Sequence, residues 1–207
     1  MGMRIHKKWD LPSGQSGALA LLAVAFLLGG AAGCFLAALS GEAGVKELGG
    51  YLTGYLALAQ DGELPRGLWT VLWGQMKYLL AALVLSVTAL GLAGLPVLFG
   101  VRGFFFSFPV ACFCRVFGGR GLLPAFVLFG LPALLWAPAL FMTGVPGLLS
   151  AQQQLRRSAG ELRGGLPLLK GGWWCRVGLC TGLTLAAGLL EYWVVPVLIR
   201  AAARVIL

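Results

Sequence analysis

Apolar residues fill most of this chain in long blocks parted by short polar or glycine-rich stretches. A bilayer core about 30 Å thick takes about 20 residues of α-helix. Five blocks read as helical spans on that scale: Gly17 to Leu39, Tyr78 to Gly100, Phe104 to Phe117, Leu122 to Leu149 and Trp173 to Ile199. The third is short and the fourth long, with Gly118-Gly119-Arg120-Gly121 as the expected joint between them. Pro124, Pro132, Pro138 and Pro146 recur in the fourth, where each removes a backbone donor and favours a kink.

Between the second and third blocks stands Gly94-Leu95-Pro96-Val97-Leu98-Phe99-Gly100-Val101-Arg102-Gly103. A guanidinium inside an apolar run is tolerated only where protein, water or the interface satisfies it. This segment therefore reads as a break in a central hairpin: a tight loop at one membrane face, or a functional interruption within the bundle.

The polar stretch from Ser40 to Lys77 is too long for a minimal connection. Within it Val45, Leu48, Leu52, Tyr55, Leu56 and Ala59 recur at three- and four-residue spacing, while Glu42, Lys46 and Glu47 fall off that stripe. The pattern predicts an amphipathic helix on the outer face of the membrane, acting as a docking surface or as a lid packed on the bundle. The expected organisation is a basic tail over 1–16, one transmembrane domain over 17–199, a basic loop over 150–172 and a short tail over 200–207. The fold class is all-α: a polytopic bundle of about five spans with a broken central hairpin and an amphipathic outer helix.

Composition agrees. Hydrophobic residues make up 59% and charged residues 11% of the 207, with a mean hydropathy of +0.88, whereas about a quarter of a soluble domain is charged. Most of that length is apolar, which leaves no separate soluble catalytic domain. Arg4, Lys7 and Lys8 precede the first block as they would in a signal peptide, but the block is too long for a signal core and lacks a small-residue cleavage site, so a retained helix is expected.

The net charge of +9 sits in short groups at block ends, which suits anionic membrane lipids and argues against nucleic acid. Basic residues at the N-terminus and at Arg156, Arg157, Arg163, Lys170 and Arg176 put those segments inside, and Arg200 and Arg204 at the outer end run against that rule.

Candidate chemistry is sparse. The single histidine, His6, lies in the tail, so no Ser–His pair can form within the spans. Asp10, Glu42, Glu47, Asp61, Glu63 and Glu161 all lie outside the blocks, which leaves no facing pair of intramembrane carboxylates for acid–base work or metal binding. No phosphate-cradling GxxxxGK[ST] loop is present. Cys34, Cys112, Cys114, Cys175 and Cys180 form no CxxC pair and read as small packing residues. An enzyme is not expected, nor a cofactor or metal.

Glu191, the one acid inside a block, stands about 27 Å from Trp173 along a helix. Beside Tyr192 and Trp193 it reads as an interfacial residue on the opposite membrane face from Arg102. Gly29, Gly30, Ala31, Ala32 and Gly33, with Gly91 and Gly94, let helix backbones approach closely, within the bundle or in a homo-oligomer.

The run GLAGLPVLFGVRGFFFSFPVACF resembles the central part of the stage II sporulation protein M family. There a span ends in a Gly-x-Pro break, followed by a basic-Gly step and a small-residue and Phe pair. Gly94 and Pro96, Arg102 and Gly103, and Ser107 with Phe108 carry those features. The small-residue first span and the long Tyr- and Leu-striped loop extend the resemblance over nearly the whole chain. Ser107 stands where the pattern has Gly, and the fourth span is richer in proline, as in a divergent member.

What the resemblance implies is a non-enzymatic scaffold in the bacterial cell membrane, at the sporulation septum or the membrane around the forespore. It would anchor peptidoglycan hydrolases there during engulfment. Leu48, Leu52, Tyr55, Leu56 and Trp69 are then the candidate partner-binding residues, with Tyr51 and Trp73 beside them. The alternative is a small transporter or permease subunit whose pathway is lined by the broken helices around Gly94 to Gly103.

Overall fold

The computed structural model describes residues 13–61, 67–158 and 172–206, and every element among them is helical. In chain order these are α1 (Ser13–Leu39), α2 (Glu42–Asp61), α3 (Leu68–Ser86), α4 (Gly91–Phe117), a 3-10 turn (Gly118–Gly121), the single turn α5 (Leu122–Ala125), a π-helical turn (Phe126–Gly130), α6 (Leu131–Ser158) and α7 (Gly172–Ile206).

Four helical stretches are long and apolar enough to cross a membrane: Gly14–Leu39, Leu68–Ser86, Gly91–Leu155 and Gly172–Arg200. Large apolar side chains face outward along them, including Leu27, Phe35, Val84 and Val97. Such a surface suits lipid rather than water, and the fold is that of a membrane-embedded, multi-pass helical protein.

The third stretch is a hairpin. At about 1.5 Å per residue it would be close to 100 Å long if straight, but it folds back on itself. Phe99 packs edge-on against Phe141 at 4.8 Å, Phe106 against Trp136 at 6.0 Å and Phe113 against Phe129 at 6.2 Å, an antiparallel register. The reversal falls at Gly118-Gly119-Arg120-Gly121, where Gly118 adopts φ 59°, a conformation that glycine takes without a Cβ penalty. The π-helical turn follows, just ahead of Pro132. Widening the helix there accommodates a residue with no N–H to give.

The central break lies elsewhere than the sequence suggests. Helix α4 runs unbroken through Gly94, Pro96, Arg102, Gly103 and Phe108, so Arg102 and Gly103 are not in a loop. The chain turns at Val87–Leu90, closed by Val87 N–H to the Val84 carbonyl at 3.2 Å and Gly91 N–H to the Thr88 carbonyl at 3.1 Å. Gly91 makes this turn possible, because a Cβ there would overlap the Leu85 carbonyl. Pro96 falls in the second turn of α4, where its missing N–H leaves the Leu92 carbonyl without the usual donor but does not end the helix.

Moving the turn shortens the outer loop as well. Trp69, Trp73 and Lys77 belong to α3 rather than to a connection, and α6 extends to Ser158, through the start of the expected basic loop. Tails 1–12 and 207, the rest of the basic loop over 159–171, and residues 62–66 fall outside the described residues.

Helices α1, α4 and α7 run one way, and α3 and α6 the other. The tightest seam joins α1 to α4: Cβ atoms at Gly29 and Gly103 would overlap the carbonyls of Gly100 and Phe26, and one at Gly33 would stand 2.9 Å from the Phe104 carbonyl oxygen. These are backbone-to-backbone contacts of the small-residue kind. Arg115 closes the far end of the seam, its Nη1 donating to the carbonyls of Ala37, Ala38 and Ser40 at 2.5, 2.6 and 2.9 Å. Those carbonyls end α1 and lack helical partners, so a cation there is doubly suited.

Two large apolar clusters fill the bundle, beside a smaller one of Leu79, Ala139 and Cys180. One gathers Leu22, Leu95, Phe99, Leu140 and Leu148. The other gathers Phe113, Ala125, Leu128, Val195 and Ile199, and Leu52 of α2 packs onto it. Helix α2 thus lies over the end of the bundle where α1 and α4 finish.

Candidate functional site

A polar layer separates the two clusters. Helix α3 contributes Gln75 and Tyr78, one turn apart; α4 contributes Arg102, α6 Trp136 and α7 Glu191. The seam with α1 fixes how α4 is rotated: Gly103 is pressed onto Phe26, and one residue is about 100° around a helix, so Arg102 turns from that seam toward α3 and α6.

The Arg102 guanidinium lies between two rings, its carbon 4.3 Å from the Tyr78 centroid and 4.0 Å from that of Trp136. Arginine, unlike lysine, offers two flat faces to such a slot. Its Nη2 donates to Gln75 Oε1 at 2.5 Å, and Gln75 Nε2 donates to Glu191 Oε2 at 2.7 Å. One orientation of the amide satisfies both bonds. A neutral amide thus bridges a part-buried cation and a part-buried carboxylate, so the two formal charges offset each other across the layer. Trp136 is itself held, edge-on to Phe106 at 74° and 6.4 Å from Phe26.

A cleft of about 520 Å³ opens on this layer. Thr70, Lys77, Arg102 and Glu191 give it a polar side, and Phe105 and Phe129 an apolar one. Helices α3 and α4 are tight at their turn, where a Cβ on Gly94 would come within 2.7 Å of Leu85, and the cleft lies farther along the pair. Among the described residues, a void of about 10 Å³ lies beyond Arg102 between Tyr78, Trp136, Leu140 and Thr184, at the lower bound for one water, beside the packed cluster around Phe99.

Arg102 and Gly103 thus adjoin the layer, as two sides of one helix. Gly94 and Pro96 lie toward the Val87–Leu90 turn, outside it. Phe108 stacks on Phe104, 5.7 Å apart and 10° from parallel, beside Gly33 of α1. Leu48 and Leu52 are half-buried, Leu52 against the Phe113 cluster, so at Leu52 the stripe packs inward. Tyr51 and Trp69 are 75% and 77% exposed. The side chains of Tyr55 and Leu56 lie outside the described residues.

Sequence reasoning missed Gln75, Tyr78 and Trp136, and it set Arg102 on the wrong level. Placing the turn at Arg102 put that residue at the opposite membrane face from Glu191. With the turn at Val87–Leu90, Arg102 stands eleven residues into α4, about 16 Å along the helix, and meets Glu191 through Gln75. The available signal was Gln75 itself, an amide three residues before a tyrosine on what proves to be a membrane-length helix. Comparison with family models, with characterised proteins and with solved structures finds no match for this chain.

Proposed function

We propose that this chain crosses the membrane five times, with the two arms of the α4–α6 hairpin as separate crossings, and serves as a non-enzymatic scaffold. Its N-terminal end faces the cytoplasm, and α2 lies on the outer side. The observation that carries the reading is α2 together with the start of α3: α2 is fixed to the bundle by Leu52 while Tyr51, Trp69 and Trp73 stand exposed at 75%, 77% and 55%. Rigidly held aromatic side chains are the usual anchors of protein interfaces. The resemblance to the stage II sporulation protein M family supplies the partner class, cell-wall hydrolases, and the site of action, the sporulation septum. A scaffold works there by raising the local concentration of its clients.

The charged cleft favours the second reading, a transport subunit with a pathway along α3 and α4. The packed cluster of Phe99 and Leu140 beyond Arg102 weighs for the scaffold. A crosslinking pull-down of the tagged full-length protein from membranes of its sporulating host, beside an unrelated five-span control, tests the choice. Enriched hydrolases, lost in a Tyr51→Asp/Trp69→Asp double variant of normal abundance, are the expected result. Recovery of an ATPase subunit and no hydrolase would overturn the scaffold reading.

A further inference from the structure

We infer that the cleft between α3 and α4 is a binding site for one anionic phospholipid, which enters from the bilayer with its phosphate toward Lys77 and Arg102. Charge supplies the first argument. Two cations, Lys77 and Arg102, line the cleft against one carboxylate, Glu191, a formal excess of one positive charge. At membrane depth an excess charge calls for a counter-charge. Glu191 is already engaged by Gln75, whereas the Lys77 ammonium, 5.1 Å from the Tyr78 centroid, and the Arg102 guanidinium, 4.3 Å from it, crowd against the same ring. A phosphate oxygen is an acceptor of the right charge for a guanidinium.

Shape and lining supply the second. The cleft is amphipathic, with Thr70, Lys77 and Gln75 on one side and Phe105, Leu128 and Phe129 on another. A free phosphate has no use for the apolar side, whereas a phospholipid uses both. At about 520 Å³ the space falls in the range of small-molecule sites. Phe105 is 56% exposed at the rim, on the outer, lipid-directed surface of α4, which gives an acyl chain a continuous apolar path out. The site is separate from the Tyr51 and Trp69 surface, so its failure would leave the scaffold reading untouched.

Two variants test it without disturbing the Arg102 network. Lys77 is exposed, and Lys77→Gln removes one charge. Gly74 lines the cleft, and a Cβ there meets nothing within 4 Å, so Gly74→Phe fills the space without a backbone clash. Native mass spectrometry of the full chain in detergent, titrated with phosphatidylglycerol, phosphatidylcholine or inorganic phosphate, reads occupancy directly. The expected result is saturable retention of one phosphatidylglycerol, at least tenfold tighter than phosphatidylcholine, weakened several-fold by Lys77→Gln and abolished by Gly74→Phe. Equal retention of both lipids, or retention unchanged by Gly74→Phe, would overturn the site. Inorganic phosphate binding as tightly as phosphatidylglycerol would overturn the lipid as its source.

Discussion

Helix α4 has two working faces, and they are built on opposite principles. Toward α1 it presents Gly100, Gly103 and Ser107, and the two backbones meet with almost no side chain between them. Toward α3, α6 and α7 it presents Arg102, whose long side chain spans to Tyr78, Trp136 and Gln75. The first face is held by close van der Waals packing, the chief attraction left between helices already in lipid. The second is held by directional polar contacts that are costly to leave unmade in an apolar medium. Dense packing against α1 fixes the rotation of α4, and that rotation delivers the guanidinium to its slot. The cleft forms only on the polar face, because side chains that reach across a gap leave space that touching backbones do not.

Substitutions that trade one principle for the other break this contrast most severely. Gly103→Leu should destabilise the bundle by more than about 4 kcal/mol, since the obstacle is the Phe26 carbonyl rather than a side chain that can swing aside. Thermal unfolding in detergent, followed by circular dichroism, checks this, and a near-normal midpoint would refute the seam. Arg102→Leu should cost about 3 kcal/mol in the same assay, because Glu191 keeps its charge and loses the cation that offsets it. If the rings matter, Arg102→Lys recovers only part of that loss.

Smaller effects sharpen the picture. Gln75→Leu severs both hydrogen bonds of the bridge at once and should cost about 2 kcal/mol. Arg115→Ala uncovers the carbonyls at the end of α1 but leaves the seam intact, and should cost about 1 kcal/mol. Equal effects of Gln75→Leu and Arg115→Ala would mean that the interior bridge is no more demanding than a helix cap at the rim.

The contrast also explains what the sequence could disclose. Hydropathy marks α1 and α7 nearly to their ends, because each is a single apolar block with polar flanks. The reversal at Gly118–Gly121 is legible from three glycines around one arginine, and the glycine-rich middle of α1 announces close packing. The α3–α4 boundary is hidden, because Val87, Ala89 and Leu90 in the turn are as apolar as the helices they join. Gly94, Pro96 and Arg102 look like a stronger break than that turn. The helix tolerates all three, since Pro96 is near its start and Arg102 has partners on α3, α6 and α7. Those partners lie 27 residues before Arg102 at Gln75 and 89 after it at Glu191, a separation that periodicity within one helix cannot bridge.

A double-mutant cycle on Arg102 and Glu191 tests whether this cation and carboxylate act together through Gln75. Unfolding free energies of Arg102→Met, Glu191→Gln and the double variant give the coupling. The expected interaction is about 1 kcal/mol or more, with the double variant more stable than Arg102→Met alone. Simple additivity within about 0.3 kcal/mol would place the two residues in separate environments and contradict the account.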